Sequence, residues 1–162
     1  MLSDFAQNVM QHADIGGGAM AMNLRPEIKS LEFAVADRGI GIRRSLAKNS
    51  DFKKLRDDSA AVTTALAPGR TSEPGRARGM GLYFGKVLLV KNGGTLTVRS
   101  GNARIATPPN DGDADRLPTF DGTLVTAIVR TDRPLTLNVM NRALERFGGL
   151  KSVAVAKNVD RI

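Results

Sequence analysis

The chain has 162 residues, and its 24 lysines and arginines against 16 aspartates and glutamates give a formal charge of +8 at pH 7. This length suits one domain with a real core, and the basic balance favours a phosphate-bearing partner, whether a nucleotide, a nucleic acid or a membrane surface. Cysteine is absent and histidine occurs once. This composition excludes disulfides and thiolate chemistry, and it argues against structural zinc and a serine-histidine-aspartate triad.

Aromatic residues make up only 4% of the chain, so few side chains are available to stack on single-stranded nucleic acid. No apolar run is long enough for a membrane span, and no signal peptide begins the sequence. We therefore expect a cytoplasmic protein without a membrane span.

The chain begins with a predicted amphipathic helix over residues 3–13. Asp4, Asn8 and His12 follow one another at intervals of four, so they share one face of this helix. A carboxylate, an amide and an imidazole in one row can hold a hydrated divalent cation or orient a water. The same row is also typical of the solvated side of a surface helix.

Two strands over residues 19–24 and 29–36 are predicted to form a hairpin, because apolar and small or polar residues alternate along the second of them. Asp37 stands where this second strand ends, so its carboxylate is expected to project from the sheet edge into a pocket. Gly39 and Gly41 follow directly. Because they lack Cβ, a flat ligand can lie against the main chain there.

A loop rich in glycine, proline and arginine covers residues 68–78 and ends where a helix over 82–90 is predicted. Glycines at such a junction leave backbone N–H groups free, and the helix dipole adds partial positive charge, so the junction can bind an anion. Arg70, Arg76 and Arg78 would add charge suited to a triphosphate. The alternative is a plain surface loop followed by a helix that starts at glycine.

The other predicted elements do not follow strict βαβ alternation. They are a short helix from residue 43, a helix over 57–66, strands over 95–100, 103–106 and 122–129, a helix over 134–147 and a short strand over 152–156. The sequence has no internal repeat and no region whose composition differs from the rest, so we expect one domain.

Neither glycine cluster matches a P-loop or a dinucleotide-binding fingerprint. However, four motifs occur in one order: Asp4-x-x-x-Asn8-x-x-x-His12-Ala13, Asp37-x-Gly39-x-Gly41-Ile42, Gly75-x-x-x-Gly79-x-Gly81-Leu82, and Gly122-Thr123 opening a strand. This order, spanning Asp4 to Val129, resembles the Bergerat-fold ATPases, the superfamily of type II topoisomerase ATPase subunits, heat-shock chaperones, histidine kinases and mismatch-repair ATPases. Within it, the chain is most similar to histidine-kinase catalytic domains and anti-sigma-factor serine kinases.

The resemblance implies an α+β fold, a two-layer sandwich in which a mixed and mostly antiparallel sheet carries helices on one face. It implies an ATP-binding domain over residues 1–133. Residues 134–162 extend past the family's core, and we expect them to form a helical extension packed on the same domain. Such domains usually have structure before their first helix, whereas this helix begins almost at Met1. Further structure is therefore expected ahead of it or from a partner.

The resemblance also implies ATP and Mg²⁺ as cofactors. Asn8 would hold the Mg²⁺, and Asp4, which stands where the family usually has glutamate, would act as the catalytic base or orient the nucleophile. Asp37 would accept the adenine amine, with support from Thr123. Adenine would lie against Gly39, Gly41 and Ile42, and the residues implied to wrap the phosphates are Arg70, Arg76, Arg78, Gly79, Met80, Gly81 and Leu82.

We therefore expect an ATP–Mg binding domain that acts on a protein partner, either as a kinase or ATPase or as an ATP-gated switch, with a homodimer as one possible assembly. A second histidine to accept phosphate is absent, so a self-contained histidine kinase is not expected. Two alternatives remain open. One is a nucleotide-binding interaction module without turnover, and the other, less favoured, is a basic nucleic-acid binder, motivated by the charge of +8.

Overall fold

The computed structural model describes residues 17–72, 79–109 and 117–133, and in this part of the chain five strands form one sheet. The strands are β1 (Gly18–Arg25), β2 (Ser30–Asp37), β3 (Thr95–Gly101), β4 (Ala103–Thr107) and β5 (Phe120–Arg130). The α-helices are α1 (Gly41–Leu46), α2 (Asp58–Ala65) and α3 (Gly81–Asn92), and short 3-10 helices cover Pro26–Ile28 and Ser50–Phe52. These elements confirm the strands and helices predicted between residues 19 and 129.

The strand order in the sheet is β1-β2-β5-β3-β4, and every described pairing is antiparallel. The fold is therefore α+β with an antiparallel sheet, which agrees with the expected mostly antiparallel pairing, and no parallel pair lies among the described strands. Short connections join β1 to β2 and β3 to β4, and β5 runs opposite to both of its neighbours. The long connection from β2 to β5 also ends in an antiparallel pair.

Some predicted elements lie outside the described residues. These are the helix over 3–13, the helix over 134–147 and the strand over 152–156, and with them the division of the chain at residue 133. Among the described residues, no helix is both long enough and apolar enough to cross a membrane.

The three α-helices cover one face of the sheet. Val35, Val125 and Val98 lie directly opposite one another across β2, β5 and β3, and all three are buried. The next row on the same face, Phe33, Ala127 and Leu96, repeats this pattern. Helical residues complete this core, among them Ile42, Leu46, Val62 and Leu89. Because strand side chains alternate between faces, one apolar face and one layer of helices make two layers.

The apolar face of the sheet continues onto the edge strand β1. Met20 and Met22 pair with Val35 and Phe33, so they lie on the helix-facing side, yet each is more than half exposed. Leu24 continues this row and is equally exposed. The apolar layer of the sheet is thus wider than the part that α1, α2 and α3 cover.

Asp57 determines where α2 begins. Its Oδ1 accepts a hydrogen bond from the N–H of Ala60 at 2.7 Å, as an N-cap residue does in the first turn of a helix. This hydrogen bond, together with the nearby guanidinium of Arg56, lowers the pKa of Asp57 below its usual range. The predicted helix start at residue 57 is therefore confirmed, with Asp57 as its cap.

Asn92 joins the end of α3 to the end of β5. Its side chain is 2% exposed, and its Nδ2 donates to the carbonyl oxygens of Arg130 and Arg133, both at 3.0 Å. Its Oδ1 accepts from the N–H of Arg130 at 2.6 Å. The buried amide is well satisfied by these bonds, so the helix end is held on the sheet.

Replacing Asn92 with alanine is expected to lower the free energy of unfolding by about 2–4 kcal/mol, because the backbone groups of Arg130 and Arg133 lose the buried amide that pairs with them. Urea denaturation measures this loss. Lys91→Ala, at the exposed neighbouring position of α3, is the matched control, with an expected change within about 0.5 kcal/mol. Similar losses in both variants would contradict the role given to Asn92.

Candidate functional site

Asp37 lies at the end of β2, on the face that the helices cover. Because side chains alternate between the two faces along a strand, Asp37 lies on the same face as Phe33 and Val35, and it is only 4% exposed. Its Oδ1 accepts a hydrogen bond from the N–H of Gly39 at 2.8 Å, which makes an Asx-type turn. The same oxygen accepts from the N–H of Thr123 on β5 at 3.1 Å. Two backbone dipoles therefore hold the buried carboxylate in one orientation.

Both of these hydrogen bonds use a single carboxylate oxygen. Among the described residues, no hydrogen bond reaches Oδ2 of Asp37. A carboxylate oxygen has two lone pairs and accepts readily from an N–H group. The arrangement therefore leaves Oδ2 as an acceptor for a donor group of a ligand.

Gly122 allows β5 to pass close to Asp37. Its φ angle is +101°, and a Cβ built on it would collide with the backbone carbonyl oxygen of Asp37 and lie 2.7 Å from Oδ1. The register of β3 against β5 also shifts nearby, between Ser100 and Gly101. Only glycine fits this close approach without displacing the carboxylate.

Ser100 on β3 connects the turn after Asp37 to β5. Its Oγ accepts a hydrogen bond from the N–H of Ile42 at 2.9 Å and donates to the carbonyl oxygen of Gly122 at 2.8 Å. Gly41 lies against the same hydroxyl, because a Cβ at this position would be 3.0 Å from Oγ of Ser100. The serine therefore fixes the glycine turn next to the carboxylate.

These residues form one group, here called the Asp37 cluster: Asp37, Gly39, Gly41, Ile42, Ser100, Gly122 and Thr123. Sequence reasoning found all of them except Ser100, and it placed Gly122 only in a strand-opening motif. Ser100 had one signal in the sequence. It shares the buried face of β3 with Leu96 and Val98, and a hydroxyl on a buried face needs a hydrogen-bond partner.

A second group of predicted residues lies where α3 begins. Gly79, Met80, Gly81 and Leu82 form this junction, and Met80, the N-cap residue, makes no side-chain capping bond. The N–H of Gly69 donates to Sδ of Met80 at 3.2 Å. A Cβ on Gly79 would collide with the backbone carbonyl of Arg70, so the two ends of the segment between Arg70 and Gly79 meet.

Arg70 is exposed, and its guanidinium carbon lies 5.7 Å from the ring centroid of Phe52. The carbonyl of Thr71 accepts from Nδ2 of Asn49 at 3.1 Å. The described contacts of Arg70 and Thr71 thus run to residues that follow α1. The structure thus brings Arg70 close to the junction Gly79–Leu82, and Leu82 also packs against the hydrophobic core.

The remaining predicted site residues lie outside the described ranges. They are Asp4, Asn8 and His12 of the predicted first helix and Arg76 and Arg78 of the loop. Within the described part of the chain, no group of three or more histidine, cysteine, aspartate or glutamate side chains could hold a metal ion. The catalytic role of Asp4 and the metal role of Asn8 stay predictions.

Comparison with known proteins gave no match to the chain, either among models of protein families or among curated proteins.

Replacing Gly122 with alanine is expected to cost about 2–4 kcal/mol of stability, because the new Cβ collides with Asp37 at a positive φ angle. Gly69→Ala is the matched control, since Gly69 also has a positive φ, +69°, but nothing lies within 4 Å of the added Cβ. That control should cost only about 1 kcal/mol from backbone strain. Thermal and urea unfolding measure both, and equal costs would refute the close approach at Gly122.

Proposed function

We propose that the chain is an ATP-binding domain of the Bergerat type and that adenine binds at the Asp37 cluster. The observation that carries this proposal is the fixed carboxylate of Asp37, which is held through Oδ1 and has Oδ2 available. Adenine presents an exocyclic amine, a hydrogen-bond donor, where guanine presents a carbonyl. A buried acceptor at this point therefore favours ATP over GTP.

The backbone around Asp37 fits a flat base. Gly39 and Gly41 have no side chains, and the hydroxyl of Ser100 holds the turn that contains Gly41 and Ile42. The Cβ position of Gly41 is filled by the hydroxyl of Ser100, so in this proposal the aromatic ring meets the main chain of the turn from the side away from Ser100. The antiparallel sheet with helices on one face is compatible with the fold that the order of the four motifs implies.

For the phosphates we propose the junction before α3. The first N–H groups of a helix lack intrahelical partners, and Met80 gives them no side-chain cap. Arg70 lies at the same junction and adds positive charge. In this proposal Asn8 holds the Mg²⁺, which neutralises phosphate charge during transfer.

The activity we propose is that of a protein kinase or ATPase, or of an ATP-gated switch, acting on a protein partner. Phosphoryl transfer depends on positioning and charge neutralisation more than on covalent chemistry by the protein. Binding without turnover is the second candidate, because the carboxylate of Asp4 is one methylene shorter than that of the glutamate usual in the family. A misplacement of about 1 Å can cost roughly 100-fold in rate.

Asp37→Asn is expected to weaken ATP binding by at least about 100-fold while the fold is retained. The amide oxygen can still accept from Gly39 and Thr123, but the NH₂ group then faces the adenine amine, and two donors repel. Isothermal titration calorimetry with ATP, and with GTP as the comparison ligand, measures the effect. Asp121→Asn, at an exposed position of β5, is the matched control. If Asp37→Asn binds ATP as tightly as the unmodified protein, the assignment of adenine binding to Asp37 is wrong.

Asn8→Ala is expected to abolish the part of the ATP affinity that depends on Mg²⁺, because an amide oxygen that ligates the metal is lost. Titrations with and without Mg²⁺ measure this dependence, and Gln7→Ala on the neighbouring position serves as the control. An unchanged response to Mg²⁺ in Asn8→Ala would reject its metal role.

A further inference from the structure

We propose that Ser100 is a positioning residue for the nucleotide, because its hydroxyl aligns both the Asp37 carboxylate and the glycine turn beside it. This inference rests on the proposed function, and it extends that function to a residue outside the four motifs. Ser100 is 3% exposed, so it acts on a ligand through the backbone groups that it binds rather than by direct contact.

The first effect of Ser100 is on the turn. The N–H of Ile42 belongs to the first turn of α1, so it has no carbonyl partner within the helix. Ile40, the N-cap residue, makes no side-chain capping bond, whereas Oγ of Ser100 accepts from Ile42 although the two residues are 58 positions apart. The start of α1 is therefore capped from the sheet, and the adjacent Gly41 is held in place.

The second effect is on the carboxylate. Ser100 donates to the carbonyl oxygen of Gly122, and the N–H of the same peptide group, that of Thr123, donates to Oδ1 of Asp37. The hydrogen bonds therefore run in one direction, from Ile42 through Ser100 and the peptide between residues 122 and 123 to Asp37. Bonds in such a chain polarise one another, so the hydroxyl strengthens the bond that orients the carboxylate.

Removing this hydroxyl would release both sides of the site at once. The N–H of Ile42 and the carbonyl of Gly122 would lose their partner, and the peptide between residues 122 and 123 would lose one of the two bonds that fix its orientation. Oδ2 of Asp37 and the main chain at Gly41 would then no longer keep a fixed separation. Selectivity for adenine requires that separation, because the base must meet both surfaces together.

The experiment compares Ser100→Ala with two other variants. Ser100→Thr keeps the hydroxyl and tests rescue. Ser30→Ala is the matched control, because Ser30 is also a buried serine on a strand, 2% exposed, and its hydroxyl has no hydrogen-bond partner within the described part of the chain. Each protein is titrated with ATP and with GTP, its thermal stability is recorded, and the exchange rate of the Ile42 amide is measured by NMR.

We expect Ser100→Ala to bind ATP about 10-fold more weakly, to lose part of its preference over GTP, and to exchange the Ile42 amide faster. Ser100→Thr should restore ATP affinity to within about threefold and slow the exchange again, as a retained hydroxyl predicts. Ser30→Ala should match the unmodified protein in all of these measurements. If Ser100→Ala does not fold, Ser100→Cys takes its place with the same expected direction, because a thiol is a weak donor and acceptor of similar size.

Two results overturn the inference, and they are distinguishable. A loss of thermal stability in Ser100→Ala with unchanged ATP affinity and ATP-to-GTP ratio means that the serine serves only stability, and the proposed function then stands. Absence of ATP binding by the unmodified protein ends the proposed function and this inference together.

Discussion

The peptide group between Gly122 and Thr123 is the point on which the rest of the site depends. Its N–H binds the carboxylate of Asp37 on β2, and its carbonyl accepts from the hydroxyl of Ser100 on β3. Because β5 lies between these two strands, one peptide connects the three central strands of the sheet. Ser100 extends the connection to α1 through Ile42. Burying a carboxylate without such partners costs free energy. The hydrogen bonds that orient Asp37 in the site therefore also stabilise the fold.

This arrangement places strict demands on backbone spacing. The carbonyl of Asp37 occupies the space where a side chain at residue 122 would begin, and the hydroxyl of Ser100 lies close to where one at Gly41 would begin. Strand β5 can therefore approach β2 and α1 only because both positions lack Cβ. These two glycines thus serve the packing of the strands and of α1.

Much of this could be predicted from the sequence, because the signals are local. The alternation around Phe33 and Val35 predicted a strand with one buried face, and the position of Asp37 followed from it. Ser100 could not be found in this way, since its partners Ile42 and Gly122 are distant in sequence and bind through their backbone. Thr123 likewise supports Asp37 through its backbone N–H, and residue type alone does not reveal such a backbone contact. The all-antiparallel pairing likewise depends on which strands meet, and no local pattern encodes that choice.

The meeting of Arg70 with Gly79 has a consequence for how such a chain can change over evolution. Arg70 and Gly79 lie against each other at the two ends of the segment between them. The number of residues in this segment therefore has little effect on the position of Asp37. The entropy of closing a loop rises slowly, by about 0.6 kcal/mol for each doubling of length. A change in the number of residues between Arg70 and Gly79 therefore costs little closure entropy, whereas one between Asp37 and Ile42 would break the bond to Ser100. The backbone thus constrains the number of residues more tightly between Asp37 and Ile42 than between Arg70 and Gly79.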